Sequence, residues 1–295
     1  MKSSDFLNLL AKKQTLVLDG ATGTNLQKRG LPVGSPPETW LFDNPAGISQ
    51  LYSDFVAAGS DIILTCTFGG NRIRLGHANL AEKLEETNHT AVRLAREVTE
   101  GKDVLVGGSL GPLGEILQPY GTLSAEQAFE LYREQASVLV GAGVDLLVIE
   151  TQFDLGEAQA AVNAVRSVDE EIALVCSFSY DRGVRTMMGV RPTQMAEIFN
   201  EMTVDVLGIN CGKSLEDNHS VLATLKEHTS KPIWFKPNAG LPTSNPDGSS
   251  SYDVTPEMMA AYVPTWLAAG ARLVGGCCGT SPEHLAAIAR ASIGN

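Results

Sequence analysis

The sequence predicts a single (β/α)8 TIM barrel, and three observations carry that expectation. Short β-branched runs alternate with longer helical patterns, the alternation repeats eight times, and no linker, low-complexity tract or charge run interrupts it. A chain of 295 residues suits one such barrel, so residues 1–295 are expected to form a single domain. An open doubly wound sheet is the alternative fold. It is weakened because no G-x-G-x-x-G pattern opens a helix after the first strand.

Taken in order, strand 15–19 leads through a stretch carrying Pro, Gly and Ser, 28–44, to a helical pattern at 48–58. Strand 61–67 is followed by helix 80–99, strand 104–109 by helix 125–140, and strand 145–150 by helix 155–168. Strand 172–177 precedes helix 193–202, and strand 205–210 precedes helix 215–228. Strand 232–237 reaches helix 256–269 through a second long stretch, 239–253, and strand 272–275 is followed by helix 282–291. Several boundaries are explicit. Thr255-Pro256-Glu257 and Ser281-Pro282-Glu283 place a cap before a first-turn proline and an acid. Ala58-Gly59, Ala142-Gly143 and Ala269-Gly270 supply helix stops just before the next strand.

Composition narrows the function. An apolar fraction of 43% with 19% charged residues is ordinary for a chain that buries a core. A net charge of −12 with no basic stripe argues against nucleic acid as a partner. No apolar run is long enough to span a membrane, and residues 1–13 lack the uninterrupted apolar core of a secretion signal. A cytoplasmic location is expected. Five cysteines, an odd number, then point to buried thiols, metal or catalysis rather than a disulfide framework.

In a TIM barrel the chemistry gathers where strands end at their C-terminal face. The residues there are Asp19-Gly20, Thr67, Glu150-Thr151, Asn210-Cys211, Asn238 and Cys277-Cys278. Sequence distance is irrelevant across a barrel mouth, so Cys211 can meet Cys277 and Cys278. Adjacent side chains on a strand point to opposite faces, and the pair can share one metal only if the backbone leaves strand geometry. Gly275-Gly276 and Gly279 permit that bend. Three thiolates suit zinc and leave a fourth position open to substrate, the pattern of a catalytic centre. The competing reading is that buried cysteines pack as small apolar residues, and it holds for Cys66 and Cys176 inside their strands. None of the five histidines sits at a strand end. Asp19 and Glu150 divide evenly between loop hydrogen bonding and binding an ammonium group. Asp217-Asn218-His219 starts like a cobalamin-binding motif, but Leu222 stands where glycine is required and the segment reads as helix.

Together, Asp19-Gly20-Ala21-Thr22-Gly23-Thr24, Thr65-Cys66-Thr67-Phe68, Gly208-Ile209-Asn210-Cys211, Pro237-Asn238-Ala239-Gly240 and Gly275-Gly276-Cys277-Cys278-Gly279-Thr280 resemble the homocysteine S-methyltransferase family. The resemblance covers essentially the whole chain. It is strongest to the N-terminal homocysteine-binding barrel of cobalamin-dependent methionine synthases. It implies that Cys211, Cys277 and Cys278 bind zinc, that homocysteine enters as a thiolate at the open position, and that Asn238 is a displaceable ligand. It further implies that Asp19, Gly20, Thr67 and Glu150 hold the substrate's amino and carboxylate groups. The folate- and cobalamin-binding modules of full methionine synthase are not visible. The methyl donor is therefore expected to be a methylated corrinoid protein in trans, carrying methylcobalamin, or a methyltetrahydrofolate-derived donor. S-methylmethionine or betaine is the alternative, as is a non-catalytic thiol-binding subunit of a corrinoid complex.

Overall fold

Strands that are apolar at nearly every position along most of their length are buried on both faces, and here they pair in parallel. The computed structural model describes residues 1–246 and 248–292. Its strands are β1 (Leu16–Val17), β2 (Ile62–Leu64), β3 (Leu105–Leu110), β4 (Leu146–Gln152), β5 (Ala173–Phe178), β6 (Val206–Cys211) and β7 (Ile233–Pro237), then a small hairpin of β8 (Thr243–Ser244) with β9 (Ser250–Ser251), and finally β10 (Ala271–Val274). Eight of them form one sheet in the order β1-β10-β7-β6-β5-β4-β3-β2, every pair parallel. A parallel bridge between Leu18 and Ile62 joins the two outer strands. Asp61 seals the seam, its N–H donating to Val17 O at 2.7 Å and its carboxylate accepting from Val17 N–H at 2.8 Å. The sheet thus closes into the expected barrel.

Inward residues form one core and outward residues another. Leu16, Leu18, Leu64, Val148, Val175 and Trp234 fill the barrel, while Ile63, Leu147, Leu174, Leu207 and Phe235 pack outward against the helices. Trp234 fits because its neighbour on β6 is Gly208, where an added Cβ would lie 3.1 Å from the Trp234 Cβ.

The helix Ser3–Lys13 lies outside the elements expected from the sequence. It stoppers the N-terminal end of the barrel, with Phe6 and Leu10 joining the interior core. Ser3 fastens it by donating its N–H to Glu171 O at 2.7 Å and its hydroxyl to the Asp205 carboxylate at 2.8 Å. The expected helix punctuation is present. Gly59, Gly143 and Gly270 take positive φ at helix ends, and Thr255 accepts the Met258 N–H one residue before Pro256. Among the described residues no helix is long and apolar enough to cross a membrane.

Candidate active site

At its C-terminal end the apolar interior gives way to polar side chains on the same inward columns. Glu150 follows Leu146 and Val148 on β4, Ser177 follows Val175 on β5, Asn210 follows Gly208 on β6, and Lys236 follows Trp234 on β7. Lys236 is buried and donates to Asp19 Oδ1 at 2.5 Å, while Asp19 Oδ2 accepts the Leu64 N–H at 2.8 Å. Burial works against the Lys236 ammonium, but Asp19, Glu150 and Cys277 outweigh it and hold its pKa above the ordinary value. Burial likewise raises Asp19, with Lys236 opposing. Glu150 accepts the Ser109 hydroxyl on Oε1 at 2.5 Å, and Oε2 has no hydrogen-bond partner among the described residues. Burial pushes the Glu150 carboxyl up to about 7, against the pull of Lys236 and with Cys277 adding to the rise.

Above this layer stand the three cysteines. Regular alternation after inward Asn210 would send Cys211 outward, but Cys211 adopts φ +57° and leaves the strand pattern. Its carbonyl is held by Asn218 Nδ2 at 2.7 Å. The other two lie past the end of β10, where the expected departure from strand geometry occurs. Cys277 N–H donates to Pro237 O at 2.8 Å, and Ala239 N–H to Cys278 O at 2.9 Å. Gly276 allows the turn, since a Cβ there would lie 2.4 Å from Thr280 Cγ2.

The three Sγ atoms lie within 4.8 Å of one another, with Cys211 2.8 Å from Cys277 and 3.9 Å from Cys278. Hydrogen bonds from Cys211, then Cys277, and further from the Tyr252 hydroxyl hold the Cys278 thiol well below its ordinary pKa. The cluster therefore favours one thiolate, at Cys278, while its hydrogen bonds and burial push the Cys211 and Cys277 thiols up. Tetrahedral zinc with Zn–S near ~2.3 Å spaces its sulfurs roughly 3.8 Å apart, so the set fits the ion once the closer pair opens. Asn238 supplies a further sign of fit. Its Nδ2 donates to Gly212 O at 2.9 Å, leaving its buried Oδ1 without a partner among the described residues.

The structure thus brings Asp19, Glu150, Asn238 and the three cysteines together. Gly20 and Thr67 are tied into the walls. A Cβ on Gly20 would lie 2.7 Å from Leu285, and the Thr67 hydroxyl donates to Ser109 O at 2.8 Å. Cys66 and Cys176 are buried in the outer core as expected, although Cys66 lies just past the end of β2. His284 joins a helix start to a loop, meeting Ser281 and Val254 O. Sequence reasoning passed over Lys236, whose signal was a lone cation at an inward position of an apolar strand. It also passed over Tyr252, which lies in the 239–253 stretch, where residue 247 falls outside the described residues.

Comparison with known proteins identifies relatives of the whole fold. The metallated form of the homocysteine methyltransferase MmuM from Escherichia coli superposes with a TM-score of 0.82 at 28% identity, over 96% of this chain and 98% of that one. The apo form of MmuM gives a TM-score of 0.75 at 27% identity over 96% and 98% of the two chains. The family model for homocysteine S-methyltransferases matches residues 16–292, and the chain belongs to that family.

Proposed function

We propose that this protein transfers a methyl group to the sulfur of homocysteine, forming methionine, at a zinc centre held by Cys211, Cys277 and Cys278. One observation carries the reading. Three sulfurs within 4.8 Å of one another stand over a buried carboxylate, Glu150, that keeps an unpartnered oxygen. Bound zinc would deprotonate the substrate thiol, whose reference pKa near ~8.5 otherwise leaves it mostly protonated at neutral pH.

The protein's own groups then position the substrate. Glu150 Oε2 receives the ammonium, and Asp19, braced by Lys236 and the Leu64 N–H, lines the amino end of the site. Thr67 anchors the Ser109 carbonyl, and the Ser109 hydroxyl in turn holds Glu150. Gly20 has no side chain because Leu285, Phe55 and Thr280 fill the space where a Cβ would stand, and we assign its backbone to the substrate's carboxylate end. Asn238 Oδ1 would hold the ion as a fourth ligand that the substrate thiol can displace. The sulfur attacks the methyl carbon in line, forming the S–C bond as the bond from donor to methyl breaks.

We assign the donor to a methylated corrinoid protein bearing a methyltetrahydrofolate-derived methyl group. Among the described residues, six of the eight exposed large apolar side chains stand on loops after β1, β3, β5 and β7, on the face where such a protein would dock: Val33, Ile116, Tyr120, Val184, Met187 and Leu241. Isolated exposed apolar residues are normal, and it is their gathering on loops of one face that supports this assignment. A cytoplasmic setting would keep the three thiols reduced. Turnover with S-methylmethionine or betaine alone would replace this donor assignment.

Zinc K-edge X-ray absorption with and without L-homocysteine tests the central reading. The expected result is about one zinc per chain with three sulfur ligands, rising to four on adding homocysteine. Absence of zinc, or a coordination sphere indifferent to homocysteine, removes it.

A further inference from the structure

We propose that the Thr151 hydroxyl is a donor to the substrate's α-carboxylate, oriented by Asn210, so that consecutive residues Glu150 and Thr151 read the two charged ends of one amino acid. The assignment rests on the thiol-activating reading above and starts from a defect in the sheet. Along β4 and β5, Ile149 pairs with Cys176 but Gln152 pairs with Phe178, so β4 advances three residues while β5 advances two. The extra residue is a bulge, a device that re-aims side chains at the end of a strand.

The bulge puts Thr151 at φ +60°, a conformation that a β-branched residue rarely adopts. Asn210 holds it there. Asn210 Oδ1 accepts the Thr151 N–H at 2.8 Å and the Ser177 hydroxyl at 2.6 Å, and its Nδ2 donates to Thr151 Oγ1 at 2.6 Å. Asn210 is fully buried, and the same Nδ2 lies 4.0 Å from Cys277 Sγ. The clamp therefore stands between the thiols and the bulge.

This arrangement leaves Thr151 with a free donor. Its oxygen already accepts from Asn210, so its hydrogen is left to donate, and no described residue accepts it. Thr151 is only half-buried, in contrast to the enclosed Thr67. A hydroxyl donor needs an acceptor. Homocysteine offers its sulfur and its carboxylate, and the sulfur is engaged at the three cysteines, which leaves the carboxylate. Glu150, one residue back, is the partner for the ammonium.

Isothermal titration of the zinc-loaded protein with L-homocysteine and with 3-aminopropane-1-thiol tests this. The second thiol keeps the sulfur and the amine but carries hydrogen in place of the carboxylate. Thr151→Val is expected to weaken homocysteine binding about 10-fold, the scale of a hydrogen bond to a charged group, and to leave the aminothiol unchanged. Thr151→Ser should bind both as wild type does. Thr151→Gly tolerates the positive φ and should show the same selective loss, so the result stands even if the valine variant folds poorly. Asn210→Ala should also weaken homocysteine more than the aminothiol. Equal weakening of both thiols by Thr151→Val and Thr151→Gly, or of neither, overturns the assignment alone. Wild-type protein that takes up neither thiol overturns the thiol-activating reading, and this assignment with it.

Discussion

Glu150 meets two opposed demands: it must be ionised to hold an ammonium, and it must be buried to sit beneath three thiols. The result is a carboxyl pushed up to about 7. Below that pH Glu150 takes up a proton and the ammonium loses its partner, so homocysteine affinity should fall as pH drops through 7. Ionisation of the thiol adds a pH dependence shared with Glu150→Gln, which makes the ratio of the two affinities the quantity to measure. That ratio should shrink towards one on going from pH 8 to pH 6; a constant ratio would remove Glu150 from the ammonium site. Stability runs the other way. The folded state holds this proton more tightly than the unfolded chain, so stability from this group is present below the ordinary carboxyl pKa and is lost as pH rises through 7. At this scale the cysteines were legible in the sequence because sulfur chemistry is specific. Asn210 and Thr151 were visible only as residues at strand ends, because their roles rest on backbone strain at Thr151 and Cys211 that no side-chain pattern records.

The stretch after β7 is the element that brings a residue to the thiols from outside the barrel. Its Tyr252 hydroxyl adds to the fall in the Cys278 thiol's pKa, and the Tyr252 ring lies over Gly279, where an added Cβ would come within 2.3 Å of Tyr252 Cγ. Partners that support metal ligands typically contribute 10–100-fold to metal affinity. Tyr252→Phe keeps the ring and removes the donor, so it should lower zinc affinity about 10-fold in competition with a chelator. Gly279→Ala, which adds strain at φ +83° as well as displacing the ring, should lower it further. Wild-type affinity in both variants would reduce this stretch to a cover. Its position on the active face was legible from its place after a strand and its Pro, Gly and Ser content. The hairpin of β8 and β9 was not, because two-residue strands of exposed serine and threonine carry no apolar alternation. The eight barrel strands were legible for the converse reason: burial on both faces makes them continuous apolar runs.

At the scale of the whole molecule, the barrel is closed at one end and chemical at the other. The helix Ser3–Lys13 contributes Phe6 and Leu10 to the interior core, and the sequence concealed it because only two of its residues are buried. We take residues 1–295 as one domain in which this stopper and the barrel unfold together. Removing a fully buried phenylalanine side chain from a packed core destabilises by about 3–5 kcal/mol. Phe6→Ala should therefore cost about that much in urea denaturation, with tryptophan fluorescence and far-UV circular dichroism still moving together. Because the stopper packs below the apolar layer and the thiols stand above it, homocysteine affinity of the folded variant should be unchanged. A loss under about 1 kcal/mol would make the helix an appendage to a barrel that is complete without it. A loss of affinity at full stability would instead mean that the interior transmits packing changes from Phe6, past Trp234, to Lys236 and the carboxylates it holds.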